Sequence, residues 1–273
     1  MTLEPRARVL VPDPGSPLRY AGTVEHPETY GVAGGVAGAV LVLRAQTLVD
    51  AETGMVGSLE RTLRTDAAGA FDGLVLPGAY EIEITPSEDP ELGVLVERRS
   101  LVARGGDALL GHVFRLPART VLGGLAQAPG GAPFEGAVAR AIALGVPLEG
   151  LTDPSLGARN RSSETVSGPT GAFRLALDVG RYDLVFEPPP GSGYPWWVEH
   201  ALGIGSSGGT LERVVEVRAP VWIETRLETS EGTPLADAEV RAWADLGDGV
   251  LVPIGRAWTD GEGRVALALP PTL

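Results

Sequence analysis

The stretch Thr65-Asp66-Ala67-Ala68-Gly69-Ala70-Phe71, closed by Leu76-Pro77-Gly78-Ala79-Tyr80, decides the fold of this chain because the sequence repeats it. A second copy lies at 167–173 and closes at 179–182, and a third lies at 259–265 and runs into Leu269-Pro270. An earlier phrase precedes each copy: Val36-Ala37-Gly38-Ala39, then Phe134-Glu135-Gly136-Ala137, then Leu235-Ala236-Asp237-Ala238. Two phrases that recur together at a spacing of roughly 100 residues predict three tandem repeats of one structural unit.

The periodicity inside the repeats is that of β-strands. Apolar residues occupy every second position along 80–84, 173–177 and 182–186, which is typical of an antiparallel sheet packed on one face. The 38 glycines and 23 prolines disfavour long helices. The sequence therefore predicts an all-β fold of tandem antiparallel β-sandwiches, Ig-like or transthyretin-like, with an incomplete third repeat. The residues predicted to lie inside the two full sandwiches are Phe71, Tyr80, Ile82, Ile84, Phe173, Leu175, Tyr182 and Leu184.

The predicted domain boundaries follow the repeats. Residues 1–118 form a first sandwich with an extra N-terminal strand, 119–219 form a second, and 220–273 form a partial third. The extra strand, Ala7-Arg8-Val9-Leu10-Val11-Pro12, resembles the repeat-ending segment Val113-Phe114-Arg115-Leu116-Pro117. Two explanations fit this arrangement. The chain is cut from a longer array, which we favour because one strand cannot replace the three that would complete the third repeat. Alternatively, this strand completes the third repeat of another copy. On the favoured explanation, residues 220–273 are expected to be the least stable part.

Taken together, these phrases resemble the carboxypeptidase regulatory-like domain, a transthyretin-like sandwich related to the B-type repeats of bacterial surface adhesins. The resemblance covers most of the chain, three times over. It departs in the second repeat, which has Ser167-Gly168-Pro169-Thr170 where the others have Thr-Asp, and in the third, which stops before its Gly-x-Tyr. The resemblance implies a non-catalytic, extracytoplasmic module (periplasmic, surface-exposed or secreted) that spaces, stiffens or binds, with neighbouring domains in a longer chain.

The composition excludes several classes of site. All 22 basic residues are arginine, 35 residues are acidic, the net charge is −13, and cysteine is absent. This charge argues against a nucleic-acid partner, because phosphate recognition needs a basic face. Without lysine or cysteine the chain has no Schiff base, thiolate metal site or disulfide. No signal peptide is visible, and the longest apolar run, 31–43, is shorter than the ~20 residues of a spanning helix, so membrane insertion is not expected.

The recurrent polar residues have structural explanations. The aspartates of the repeated phrase are expected to bond turn amides, its glycines to take positive φ, and its tyrosines to act as tyrosine corners. Calcium bound by the acidic turns is the alternative, but neither a metal nor a cofactor is predicted. The predicted turn and corner residues are Asp66, Gly69, Gly78, Tyr80, Gly171, Gly180, Tyr182, Asp260 and Gly263.

A proline-rich loop in the second repeat is the candidate binding site. It places Tyr194, Trp196 and Trp197 within four residues, and aromatic platforms of this kind stack sugars or proline-rich peptides. The alternative is that one tryptophan begins a strand and plugs the end of the sandwich or an interface between repeats. Because adjacent strand residues face opposite ways, one tryptophan is expected to be buried and the other exposed to solvent.

Catalysis finds little support in the sequence. The three histidines lack the paired spacing of a zinc peptidase, and an esterase that uses Ser207 with His200 is kept only as a third hypothesis. The first hypothesis is a non-catalytic spacer or adhesion module of an envelope or secreted protein, with a protein or glycan surface as its partner. The second is a carbohydrate-binding module that uses the aromatic loop.

Overall fold

A computed structural model describes residues 16–28, 34–49, 56–87, 89–102, 108–145, 160–205, 208–245 and 251–271. Their regular structure consists of β-strands, so the predicted all-β fold is confirmed. In chain order the strands are β1 (Leu18–Glu25), β2 (Val40–Val49), β3 (Val56–Gly57), β4 (Glu60–Arg64), β5 (Ala70–Val75), β6 (Gly78–Thr85), β7 (Leu95–Leu101), β8 (Ala108–Arg115), β9 (Thr120–Gln127), β10 (Val138–Ala143), β11 (Ser163–Val166), β12 (Ala172–Leu177), β13 (Gly180–Glu187), β14 (Trp197–Ile204), β15 (Thr210–Glu216), β16 (Val221–Arg226), β17 (Glu239–Asp245), β18 (Leu251–Trp258) and β19 (Arg264–Leu269).

The chain divides into two compact units, Met1–Ala118 and Arg119–Leu273. In the first unit, one sheet has the order β5-β1-β8, and the other has the order β3-β2-β6-β7 with β4 also paired to β2. Side chains from both sheets meet in one buried core around Tyr20, Leu41 and Ile82. The three-part division at 118 and 219 stays a prediction, and the N-terminal segment Ala7–Pro12 lies outside the described residues.

The second unit contains a full sandwich followed by half of one. Its full sandwich pairs a β12-β9-β15 sheet with a β11-β10-β13-β14 sheet. This order matches the first unit except for β3, which has no counterpart among the described strands of the second sandwich. The remaining strands form two separate pairs, β16-β19 and β17-β18. The register Val221↔Leu269 corresponds to Thr120↔Leu177, so β16 to β19 match β9 to β12. Among the described residues, the third repeat therefore contains counterparts of the first four strands of the second sandwich.

The residues that were predicted to lie inside the two full sandwiches are buried there. Their alternation along the strands explains this, because one face of each strand points to the opposing sheet. These buried side chains are Phe71, Tyr80, Ile82, Ile84, Phe173, Leu175, Tyr182 and Leu184.

A buried ion cluster closes one end of the second sandwich. The Asp178 carboxylate accepts two hydrogen bonds from the Arg161 guanidinium, both at 2.9 Å, and lies 3.4 Å from Arg119 Nε. Burial lowers the pKa of Arg119, and the Asp178 charge opposes that shift. Two guanidinium groups thus share one buried carboxylate, which makes Asp178 the residue on which the cluster depends.

Candidate functional site

A buried hydroxyl joins the two recurrent phrases in every repeat. Thr65 Oγ1 donates to the Val36 carbonyl at 2.6 Å and accepts a hydrogen bond from the Ala39 amide at 2.8 Å. Ser167 and Thr259 make the same two bonds in their own repeats, at distances between 2.6 and 2.9 Å. The two phrases recur together because each hydroxyl closes a loop whose backbone groups are otherwise unsatisfied.

The aspartate side chains of the acidic turns accept hydrogen bonds from backbone amides. Asp66 Oδ1 accepts the amides two and four residues further on, at 2.8 and 2.9 Å, and Asp260 does the same. The second repeat has Gly168 at this position and keeps the turn through backbone bonds alone. Gly171 has φ of 76°, and a Cβ there would collide with the Ala126 carbonyl oxygen. Within the described ranges, no three His, Asp or Glu side chains are grouped to hold a metal.

Both predicted corner tyrosines donate to a carbonyl four residues upstream. Tyr80 Oη lies 2.9 Å from the Leu76 oxygen and Tyr182 Oη lies 3.0 Å from the Asp178 oxygen. Burial raises the pKa of both phenols. Gly78 and Gly180 begin the strands that carry them. The phenols therefore fix the turn before each strand.

The first and last strands of each full sandwich are parallel neighbours. β1 and β8 pair from Arg19↔Ala108 to Glu25↔Arg115, and β15 and β9 pair from Thr210↔Val121 to Glu216↔Gln127. The chain thus enters at one end of a parallel strand pair and leaves at the other. Tension along the chain would load the hydrogen bonds of such a pair in shear, all together, rather than one after another.

A groove lined by tryptophans lies in the second unit. The proline-rich loop, defined here as residues 188–195, forms one wall, and Trp222 and Trp258 contribute to the other. The groove encloses about 270 Å³. Trp222 and Trp258 are 50% and 60% exposed, and a Cβ added at Gly193 would lie 3.9 Å from the Trp222 indole. Exposed indole faces in a concave site can bind flat apolar surfaces such as those of pyranose rings.

The three aromatic residues proposed from the sequence do not form one platform. Tyr194 packs edge-on against Phe134, with ring centroids 5.2 Å apart, and also lines the groove. Trp196 lines the groove as well, whereas Trp197 begins β14 and packs edge-on against Phe186 at 5.7 Å. Both tryptophans are half-buried, so the expectation of one buried and one exposed indole is wrong. The reason is that the strand starts at Trp197, at the rim of the core.

The buried carboxylate of Glu187 links the second sandwich to the third repeat at the edge of this groove. Glu187 Oε2 accepts from Arg140 Nη1 at 2.6 Å, and its other oxygen pairs with Arg256 of β18. The Glu187 side chain is 8% exposed and Arg256 is 39% exposed. The ion pair therefore fixes the third repeat against the second and supplies polar groups beside the tryptophans.

A histidine–aspartate pair in the second sandwich has a backbone role. His200 Nδ1 lies 2.7 Å from Asp183 Oδ1, and the same oxygen accepts the Ala201 amide at 3.2 Å. Ala201 has φ of 55°, where the β13–β14 register shifts. The carboxylate thus stabilises a β-bulge, and Ser207, its proposed catalytic companion, lies outside the described residues.

Sequence reasoning missed the groove residues Trp222, Trp258, Glu187 and Arg256. They lie on three strands that are far apart in the sequence, Glu187 on β13, Trp222 on β16, and Arg256 and Trp258 on β18, so no local motif joins all four. The alternation of the strands was the available signal. It places Trp222 and Trp258 at outward positions of β16 and β18, and large apolar side chains exposed to solvent often mark a binding surface.

Comparison with known proteins gives only loose likenesses. No protein-family model matches the sequence, and no curated protein is significantly similar to it. Among solved structures, the chain is similar to the Bacillus anthracis TIE protein (16% identity, TM-score 0.30), covering 93% of this chain and 44% of that one. It is also similar to a streptococcal ancillary pilin (12%, 0.27; 93% and 87% covered) and to BcpA, the major pilin subunit of Bacillus cereus (11%, 0.28; 94% and 85% covered).

At such TM-scores these likenesses say nothing of what this chain binds, and the carboxypeptidase regulatory-like family is not established by them. No helix among the described residues is long and apolar enough to span a membrane. The function has to come from the residues of the chain itself.

Proposed function

We propose that this chain is a non-catalytic spacer of the adhesion type, whose β-sandwich repeats transmit tension along the polypeptide. The repeats would be relatives of the carboxypeptidase regulatory-like domains. The proposal includes an extracytoplasmic location, where the module would hold a protein or glycan surface at a distance.

The parallel pairing of first and last strands carries this proposal. In the first unit six residue pairs join β1 to β8, and in the second unit seven pairs join β9 to β15. When force acts at the two ends of such a pair, all its hydrogen bonds must break in one event. The recurrent hydroxyls, turns and tyrosine corners support the same function, because each is used to close the fold.

Pulling the first unit in two directions tests this proposal. The chain has no cysteine, so handles can be attached at introduced thiols without interference. A Ser16→Cys/Ala118→Cys chain loads the β1–β8 pair in shear, and a Ser16→Cys/Ala108→Cys chain peels the same pair apart from one end. We expect a several-fold higher unfolding force in the first geometry. Equal forces would contradict the proposed role.

The tryptophan groove favours a second function, carbohydrate binding. Trp196, Trp222 and Trp258 surround an opening that also contains the Glu187–Arg256 ion pair. Stacking on indole faces beside hydrogen-bonding side chains is the combination that a sugar requires.

A glycan array probed with the whole chain tests this second function. Trp258→Ala removes a groove indole, and Trp243→Ala removes one that is 50% exposed on β17 outside the groove. We expect the chain to bind glycans on the array, Trp258→Ala to abolish this binding, and Trp243→Ala to preserve it. If the chain binds no glycan, or if both variants lose binding equally, the proposed carbohydrate binding is contradicted and only the spacer function remains.

A further inference from the structure

A histidine connects the two sheets of the first sandwich along one edge. His112 of β8 is half-buried, and its ring packs on the ring of Tyr20 of β1, with centroids 4.9 Å apart. Its Nδ1 lies 3.3 Å from Nη1 of Arg99 on β7. Because β8 and β7 belong to different sheets, this contact is a side-chain bond between the sheets.

The chemistry of the partner decides the protonation state of His112. A guanidinium group carries donors and no acceptor, so Arg99 can only donate to the Nδ1 atom. The imidazole that accepts this bond is neutral and carries its proton on Nε2. A second proton, on Nδ1, would remove the hydrogen bond and would place an imidazolium 3.3 Å from a guanidinium.

The charged and titratable groups that face His112 among the described residues come from two strands. They are Arg99 and Glu97 of β7 and the phenol of Tyr20 on β1. Glu97 would favour an imidazolium, but its carboxylate already binds Arg99, with Oε2 2.6 Å from Nη2. The Phe114 ring also holds Arg99, since its centroid lies 4.6 Å from the guanidinium carbon. Burial and the charge of Arg99 lower the pKa of His112, in agreement with this geometry.

The second sandwich has a different pair at the same place. The register of β15 on β9 puts Arg213 where β8 has His112, and the register of β14 on β13 puts Glu199 where β7 has Glu97. Arg213 Nη2 lies 3.2 Å from Glu199 Oε1. Arginine stays protonated in proteins, so opposite charges join the sheets here, and mild acid leaves the cation of this pair unchanged.

We propose that His112 makes the first sandwich sensitive to mild acid, a sensitivity that the equivalent pair of the second sandwich does not have. Because the fold holds the neutral imidazole, its stabilising effect is complete above the pKa of an unfolded histidine, about 6.5. That effect is lost as the pH falls through the lower pKa of the folded chain. His112 belongs to the strand that pairs with β1, so acid loosens this strand from the opposite sheet.

Nitrogen NMR of the isotope-labelled whole chain tests the protonation state directly. At neutral pH we expect Nδ1 of His112 to be the unprotonated nitrogen, and a pH titration should give a pKa below about 6.5. Arg99→Gln should raise that pKa because it removes the opposing charge, whereas Arg98→Gln, at an exposed position of β7, should leave it almost unchanged. A proton on Nδ1 at neutral pH, or equal effects of the two variants, would overturn the proposal.

Amide protection in the whole chain, corrected for intrinsic exchange rates, tests the consequence for stability. Between neutral pH and about pH 5.5, amides of β6 should lose protection several-fold, at most about tenfold per pH unit for a single proton. His112→Gln keeps an acceptor for Arg99 but cannot titrate, so it should abolish this loss. His26→Gln replaces the other histidine of the first unit and should preserve the loss.

Amides of β13 report on the second sandwich and should keep the same protection in the wild type and in both variants. A loss in β6 that persists in His112→Gln, or no loss in the wild type, would refute the proposal.

Discussion

Thr65→Val isolates the buried hydroxyl that joins the recurrent phrases of the first repeat. The substitution keeps the shape of the side chain and removes the partner of two backbone groups, the Val36 carbonyl and the Ala39 amide. Each buried group left unpaired lowers the free energy of unfolding by ~1–3 kcal/mol. Burial of the added methyl raises it by ~1 kcal/mol. We expect the free energy of unfolding of the first unit to fall by about 3 kcal/mol. For a unit of this size that lowers Tm by about 12 °C.

The distribution of tryptophans makes the assay specific. All five tryptophans lie between residues 196 and 258, so indole fluorescence reports unfolding of the second unit alone. Calorimetry should show the transition of the first unit moving down while the fluorescence transition stays in place. Thr62→Val, at an exposed position of β4, is the matched control and should change neither. An equal effect of the two substitutions, or a fluorescence transition that moves with the first, would refute the reasoning.

Three further predictions concern the second unit. Asp178→Asn leaves the buried Arg119 without its opposing charge and should cost about 3 kcal/mol by urea denaturation, whereas Glu262→Gln, which disrupts an exposed pair with Arg264, should cost almost nothing. Hydrogen bonds from the amides of Arg264 and Glu262 lower the pKa of Asp260 in the folded chain. The ionised carboxylate therefore stabilises the fold above the pKa of the unfolded carboxyl, and this stabilisation is lost as the pH falls through the folded pKa. Amide exchange of 264–269 should therefore accelerate at acid pH, and Asp260→Asn should abolish that pH dependence. At neutral pH, amides of 265–269 should exchange faster than those of 182–186, because β19 pairs with β16 alone among the described strands, whereas β13 lies between β10 and β14. Equal protection in a demonstrated monomer would contradict this.

The repeats, the strands and the core could be predicted because they depend on short-range patterns. Alternation identified the strands that carry Phe71 and Tyr182, both buried in the structure. Ser167 appeared to be a departure from the Thr-Asp phrase, yet its hydroxyl makes the bonds that Thr65 makes. Only the carboxylate of that phrase is missing, at Gly168, because the backbone alone holds the turn there.

The groove could not be predicted because it is a tertiary feature. Its loop was visible as a cluster of prolines and aromatics, but Trp222 and Trp258 reach it only after two sheets of another repeat have formed. The parallel strand pairs were missed for the same reason. Period-2 alternation reports which face of a strand is buried and not the direction of its neighbour.

Tension applied through both full sandwiches tests the central claim, that these repeats are built to transmit force. A Ser16→Cys/Ala219→Cys chain held between two handles places the β1–β8 and β9–β15 pairs in series. The account predicts two separate high-force events, each releasing about 30 nm of chain, since each sandwich holds roughly 100 residues that extend by 3.3–3.6 Å apiece. Gradual lengthening at low force, without two such events, would contradict it.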